Sequence, residues 1–143
     1  MDRPTIFEAA GGETAFRRLT ERFYEKVRED ATLAPVFATF TAEHAANVAT
    51  WLGEVFGGPP LYSLEHGGHR TILEKHHGLA LTETHRERWA ALMIETAREV
   101  LPPDDVLQRR FAEYIEWGSR IAVAASQPGF AIDRAGPVPR WDW

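Results

Sequence analysis

Residues 51–59, WLGEVFGGP, mark the end of an amphipathic segment and carry the clearest information about the fold. Apolar side chains recur upstream of this stretch at helical spacing, and a Gly-Gly-Pro-Pro run at 57–60 then breaks the pattern. The face formed by this spacing carries His44, Val48, Trp51, Leu52 and Val55. We therefore predict a helix here, followed by a loop over 61–68 that includes the glycine pair at 67–68.

Helical spacing also dominates the chain before this segment. A short helix is predicted over residues 6–10, and the glycine pair at 11–12 separates it from a longer one. The stripe of the longer helix consists of Phe16, Leu19, Phe23, Tyr24 and Val27. A brief turn is expected near 33–37.

The second half of the chain follows the same pattern. A short helix is predicted over 69–77, ending at Gly78, and Thr84 with Glu87 can form the capping box of the next helix. Prolines at 102–103 end that helix, and a final apolar stripe runs from Leu107 to Ala125. Signals for β-strands are weak throughout. The sequence thus predicts an all-α domain of about five or six helices.

Composition narrows the class of protein. A chain of 143 residues fits one domain, and we assign residues 1–127 to it and 128–143 to an irregular tail whose two tryptophans suggest docking. The net charge of −5 and the mixed charges argue against nucleic-acid or membrane-surface binding. No cysteine is present, which excludes disulfides and thiolate metal sites. With no signal-like or membrane-spanning run, the expected location is the cytoplasm.

Four of the six histidines fall between residues 66 and 77, which invites a metal-binding interpretation. A zinc site could use His66, His69 and a later histidine, although the glycine pair at 67–68 interrupts this set. A di-iron site would need two Glu-x-x-His pairs, and only Glu74 with His77 is found. A haem site requires one histidine, an apolar slot, hydrogen-bond donors and cationic groups at its rim. From these residues alone, histidines on the surface of a helical scaffold protein are the favoured interpretation.

Six segments, in order along the chain, resemble the second group of truncated haemoglobins. They are the glycine pair at 11–12, 22–24 (RFY), 51–59 (WLGEVFGGP), Gly68-His69 with Lys75-His76, 86–89 (RERW) and 114–120 (YIEWGSR). The similarity extends from about residue 5 to residue 127. It implies a two-over-two helical sandwich that binds haem b, iron protoporphyrin IX, with 1–127 as the truncated globin domain.

The resemblance also implies an axial ligand and a ligand-facing side of the haem. It selects His76 as the proximal ligand over its neighbour His77, which would point about 100° away on a helix. Tyr24 and Trp89 correspond to residues that face the bound ligand, and His44 occupies a position similar to the distal histidine of globins. His44 either contacts the ligand or controls its entry. Phe37 stands where some relatives have Tyr, so one hydroxyl is absent there.

Further residues are expected around the haem. The predicted walls are Val48, Trp51, Leu52, Ile72, Leu79 and Met93, and the predicted propionate partners are Tyr62, Arg70 and Lys75. The expected ligands are dioxygen and other diatomic molecules. Slow oxygen release would suit nitric oxide oxidation or peroxide reduction, with an unidentified reductase, better than bulk oxygen transport. The chain would act as a monomer or a homodimer.

Overall fold

The structure, a computed structural model, describes residues 3–76, 79–129 and 138–143, and for residues 69 and 70 the backbone only. Within these ranges the chain forms seven helices and no strand, which confirms the all-α prediction. The helices are α1 (Ile6–Ala10), α2 (Gly12–Glu29), α3 (Ala42–Val55), α4 (Leu61–His66), α5 (Gly68–His76), α6 (Glu83–Val100) and α7 (Asp105–Ala125).

Two helix pairs form the body of the domain. Helix α2 packs along α3, α6 packs along α7, and α2 also contacts α6, which joins the two pairs. Completely buried aromatic side chains fill the space between them, among them Phe16, Phe23, Phe56 and Phe111. This arrangement confirms the predicted two-over-two sandwich. The short α4 and α5 connect α3 to α7 along one side and carry the segment with the clustered histidines.

The glycines at 11 and 57 are required by the path of the backbone. Gly11 has a φ of 115° and ends α1, whose other end is closed by a capping box between Thr5 and Glu8. Gly57 has a φ of 98°, and a Cβ there would lie 2.7 Å from the Cβ of Thr5. The break after α3 therefore lets the start of α1 pack directly on the end of α3.

The predicted loop over 61–68 is wrong, because residues 61–66 form helix α4. Its N-cap, Pro60, offers no side-chain acceptor. The missing acceptor is the carboxylate of Glu54, which receives the backbone N–H of Ser63 at 2.9 Å and also the Ser63 hydroxyl. A cap supplied from nine residues upstream leaves no local sequence signal.

The start of α6 also differs from the prediction. Thr82, not Thr84, is the N-cap, and its capping box is completed by His85 instead of Glu87. Thr82 has extended backbone geometry, with φ −102° and ψ 167°, as an N-cap residue requires. The His85 ring accepts the Thr82 N–H through Nδ1, at 3.1 Å. His85 thus completes the capping box, for which the carboxylate of Glu87 was predicted.

The end of the chain, residues 138–143, lacks regular structure and is packed on the domain. Val138 is buried, and the N–H of Trp141 donates to the carbonyl of Val55 at 2.6 Å. The indole N–H of Trp143 donates to the carbonyl of Pro4 at 2.7 Å. The docking suggested by the two tryptophans is confirmed for these residues, while the division of the chain at 127/128 stays a prediction.

Candidate functional site

A cavity that is partly open to solvent lies between the two helix pairs and α5. Side chains from helices α2 to α7 line it, as do residues of the turn before α3 and of the segment between α5 and α6. Among the lining residues are Tyr24, Phe37, Phe40, His44, Val48, Trp51, Tyr62, Ile72, Lys75, His76, Leu79, Arg86, Trp89, Tyr114 and Trp117.

The structure brings most of the predicted site residues to this cavity. Eleven of them line it: Tyr24, Phe37, His44, Val48, Trp51, Tyr62, Ile72, Lys75, His76, Leu79 and Trp89. Two others, Leu52 and Met93, are completely buried and belong to the hydrophobic core, and neither is a lining residue. The Arg70 side chain and all of His77 lie outside the described residues.

His76 is the last residue of α5, and its ring is held by the helix itself. The ring nitrogen Nδ1 lies 2.7 Å from the carbonyl oxygen of Ile72, one turn earlier. A carbonyl oxygen can only accept, so Nδ1 carries the proton and Nε2 retains its lone pair. Burial lowers the pKa of His76, an effect that the nearby Lys75 reinforces and the Ile72 hydrogen bond opposes. The side chain is therefore a neutral imidazole with one free nitrogen.

An aromatic cluster surrounds Tyr24 on another wall of the cavity. The Tyr24 ring lies 5.9 Å from Phe37, 6.2 Å from Phe40 and 5.7 Å from His44, measured between ring centroids. Phe40 and His44 are closer still, at 3.8 Å. Tyr24 is buried, and burial raises the pKa of its hydroxyl. The hydroxyl thus stays protonated and able to donate a hydrogen bond.

Phe23 links the two predicted donors. It is fully buried and makes edge-on contacts with Tyr24 at 5.0 Å and with Trp89 at 5.6 Å. Since Tyr24 lies on α2 and Trp89 on α6, this shared contact fixes the two rings relative to one another across the helix pairs. Both rings line the cavity, each with one polar tip.

His44 is uncharged at neutral pH. Its pKa is lowered to about 4, first by burial and then by the positive charge of Lys75 and by His76. Both of these charged or chargeable groups lie on α5, whereas His44 lies on α3. A neutral His44 can donate from one ring nitrogen and accept at the other.

Helix α7 forms one wall of the cavity, and none of its residues was predicted as part of the site. Tyr114, Ile115, Trp117 and Gly118 all line the cavity. Tyr114 lies 6.0 Å from Trp51 and 5.9 Å from Trp117, so three aromatic rings form a continuous row. The apolar stripe of the last predicted helix was a usable signal. It could not distinguish side chains facing the core from side chains facing a cavity.

Among the described lining residues, the two cationic side chains, Arg86 and Lys75, differ in their availability to a ligand. Arg86 is buried and bonded to Glu83, Glu116 and Ser119, and the two carboxylates raise the pKa of its guanidinium. The N–H groups of the Arg86 guanidinium are therefore used in contacts within the protein. Lys75 is exposed and lines the cavity, so its ammonium group can reach the rim.

These residues fit a haem group. They provide the neutral imidazole of His76, broad aromatic walls and a cation at the rim. The indole N–H of Trp51, a cavity residue, is buried and has no hydrogen-bond partner among the described residues. Over the described parts of the chain, no three His, Asp or Glu side chains come together as a metal site. His77 and the side chain of His69, which the zinc and di-iron alternatives would use, lie outside the described residues.

Residues 5–116 match the bacterial-like globin family. The chain belongs to this family. Among its relatives, the sequence is 33% identical over 82 residues to the group 2 truncated hemoglobin YjbI of Bacillus subtilis (strain 168). It is 30% identical over 82 residues to the group 1 truncated hemoglobin GlbN of Nostoc sp. (strain MUN 8820). These matches cover 57% of this chain in both cases, and 61% and 65% of the respective relatives.

Solved structures support the same assignment. The group II truncated hemoglobin from Bacillus anthracis superposes with a TM-score of 0.78 at 25% identity, covering 90% of this chain and 98% of that one. The thermostable hemoglobin from Thermobifida fusca gives a TM-score of 0.74 at 30% identity, covering 84% and 97%. The predicted resemblance to the second group of truncated haemoglobins is confirmed by these relatives and structures. None of the helices in the described ranges is long and apolar enough to cross a membrane.

Proposed function

We propose that this chain is a haem protein in which His76 would be the protein ligand of the iron, and that it binds dioxygen and other diatomic molecules. The observation that carries this proposal is the hydrogen bond between His76 Nδ1 and the Ile72 carbonyl, 2.7 Å long. It fixes the tautomer that leaves Nε2 free at the cavity. Haem b would supply the ferrous iron that binds the diatomic ligand reversibly.

The chain's own residues define how that ligand is held. The Tyr24 hydroxyl and the Trp89 indole N–H are donors at the cavity, and Phe23 fixes the two rings relative to one another. Neutral His44 adds a third polar group beside Tyr24. Donors of this kind stabilise partial negative charge on a ligand because they are already oriented by the protein. Tyr62 and Lys75 are the described residues available to the haem carboxylates.

The paired donors favour ligand chemistry over oxygen transport. A hydrogen bond to a charged partner is worth roughly 1.5–3 kcal/mol. Two such bonds would slow ligand release by about a hundredfold or more, because 1.4 kcal/mol corresponds to a factor of about ten. We assign to this site nitric oxide oxidation or peroxide reduction as the reaction class. Either reaction needs an electron donor, which a separate reductase would provide.

The experiment is a titration of the purified protein with hemin, followed by reduction and exposure to oxygen and carbon monoxide. The expected result is saturation at one haem per chain, with an intense absorption band near the blue edge of the visible spectrum that shifts with each ligand. A folded protein that takes up no haem would overturn the proposal. Rapid oxygen release from the loaded protein would overturn the preference for ligand chemistry over transport.

A further inference from the structure

The segment 138–143 is attached to the domain by contacts spread along its length. Val138 is 4% exposed, and the N–H of Trp141 donates to Val55 at the end of α3. Arg140 donates to the carbonyl of Gly58 at 3.2 Å. The family match ends at residue 116, so this segment is an addition to the matched globin region.

The ring of Trp141 is held on two sides. Its centroid lies 5.4 Å from Tyr114 and 5.9 Å from Trp117. The guanidinium carbon of Arg110 lies 4.6 Å from the centroid of the same indole, and Arg110 Nε donates to the carbonyl of Asp142 at 2.9 Å. A ring fixed by a cation and by two aromatic partners restrains those partners in turn.

The two aromatic partners of Trp141 are walls of the cavity. Tyr114 is 2% exposed, and Trp117 is 40% exposed, so Trp117 forms part of the wall where the cavity meets solvent. Tyr114 also contacts Trp51, whose indole N–H has no partner within the described parts of the chain. The aromatic row of Trp51, Tyr114 and Trp117 is thus supported from outside by the tail.

We propose that Trp141 is a positioning residue for the haem cavity, acting through Tyr114 and Trp117, and that packing of its ring on these two residues is coupled to haem retention. This inference rests on the proposed haem function. The coupling is reciprocal: if the packed Trp141 ring favours bound haem, bound haem favours the packed ring by the same factor.

Trp143 offers a matched control within the same segment. Its indole N–H donates to Pro4, and its ring lies 4.1 Å from the Arg3 guanidinium carbon. Neither Pro4 nor Arg3 lines the cavity. Trp143→Ala therefore removes the same side chain as Trp141→Ala and weakens docking without touching the cavity wall.

The experiment compares Trp141→Ala, Trp141→Phe and Trp143→Ala as full-length, haem-loaded proteins. Haem loss is timed by transfer to excess apomyoglobin, and circular dichroism in the main haem absorption band reports the aromatic surroundings of the haem. We expect Trp141→Ala to lose haem about tenfold faster, equivalent to about 1.4 kcal/mol, with an altered dichroism signal. Trp141→Phe should restore most of both properties, and Trp143→Ala should resemble the wild type in both.

Urea unfolding of the haem-free proteins separates positioning from general stability. We expect both alanine variants to lose stability, whereas only Trp141→Ala changes haem loss and dichroism. Equal acceleration of haem loss in the two alanine variants would overturn the inference, as would wild-type haem loss in Trp141→Ala. A wild-type protein that binds no haem would overturn the proposed function itself, which distinguishes the two failures.

Discussion

The imidazole of His76 donates its Nδ1 proton to the carbonyl oxygen of Ile72, one turn earlier in the same helix, across 2.7 Å. Both residues line the cavity, so one helical turn orients the ring and supplies part of the apolar wall beside it. The acceptor is a backbone carbonyl, so the hydrogen bond does not depend on which side chain residue 72 carries. The orientation of the ring therefore depends on the integrity of α5.

This relationship predicts that His76→Ala will bind haem far more weakly than the wild type. The axial nitrogen is lost, while the cavity walls are unchanged. Imidazole added to the solution should restore the five-coordinate absorption spectrum, because it can occupy the space vacated by the side chain. His77→Ala, the neighbouring substitution, should retain haem as the wild type does. Equal haem loss in both variants, measured by spectroscopic titration, would contradict the assignment.

The distal donors predict a second outcome. Tyr24→Phe and Trp89→Phe each remove one polar tip and keep an aromatic ring. Loss of one hydrogen bond to a charged ligand should raise the oxygen dissociation rate by about tenfold or more. Flash photolysis and stopped-flow mixing of the haem-loaded proteins provide the measurement.

Trp143→Phe is the control for these substitutions, because the indole N–H of Trp143 donates to Pro4, outside the cavity. Its oxygen dissociation rate should equal that of the wild type. An unchanged rate in both Tyr24→Phe and Trp89→Phe would show that neither residue donates to the ligand.

The depressed pKa of His44 predicts how stability depends on pH. Folding lowers this pKa from 6.5 to about 4, chiefly through burial, so between these values the unfolded chain binds a proton that the folded chain does not. Stability contributed by neutral His44 is therefore lost as the pH falls from about 6.5 towards about 4, and it rises with pH across the same range.

The test is urea unfolding of the haem-free wild type and His44→Phe at pH 7 and pH 5. The wild type should lose more stability than His44→Phe between the two pH values. The pKa of His76 is shifted in the same direction. Because His76 is present in both proteins, the difference between them reports His44 together with its interaction with His76. Parallel losses in the two proteins would contradict the prediction.

Periodicity was sufficient to predict helices where capping and packing signals are local. The Gly11 break and the α3 stripe with His44, Val48 and Trp51 appear in the structure as predicted. Contacts between residues distant in sequence are not encoded by local pattern. The start of helix α4 is capped by Glu54, which lies in another helix. Helix α7 has a continuous apolar stripe, and only the packed structure shows which of its side chains line the cavity. The positions of Leu52 and Met93 in the core show the same limit, since an apolar face does not distinguish core from cavity.

The Glu54 cap gives a final prediction about stability. Glu54 is 3% exposed and accepts both the N–H and the hydroxyl of Ser63, which together fix the start of α4. Glu54→Ala removes both bonds and leaves a helix N–H without an acceptor, so we expect a loss of about 2–3 kcal/mol in the free energy of unfolding. Ser63→Ala removes only the hydroxyl bond and should cost about 1 kcal/mol.

The control is Glu65→Ala in the same short helix, where the side chain is 61% exposed. It should change stability by less than about 0.5 kcal/mol, as surface substitutions usually do. The double variant Glu54→Ala/Ser63→Ala should be about as stable as Glu54→Ala alone, because the two residues share one interaction. Simple additivity of the two single losses, measured by urea unfolding, would mean that Glu54 stabilises the chain by a route other than capping α4. Because α4 leads directly into α5, which carries His76, the same variants also test whether this remote cap helps to hold the cavity wall.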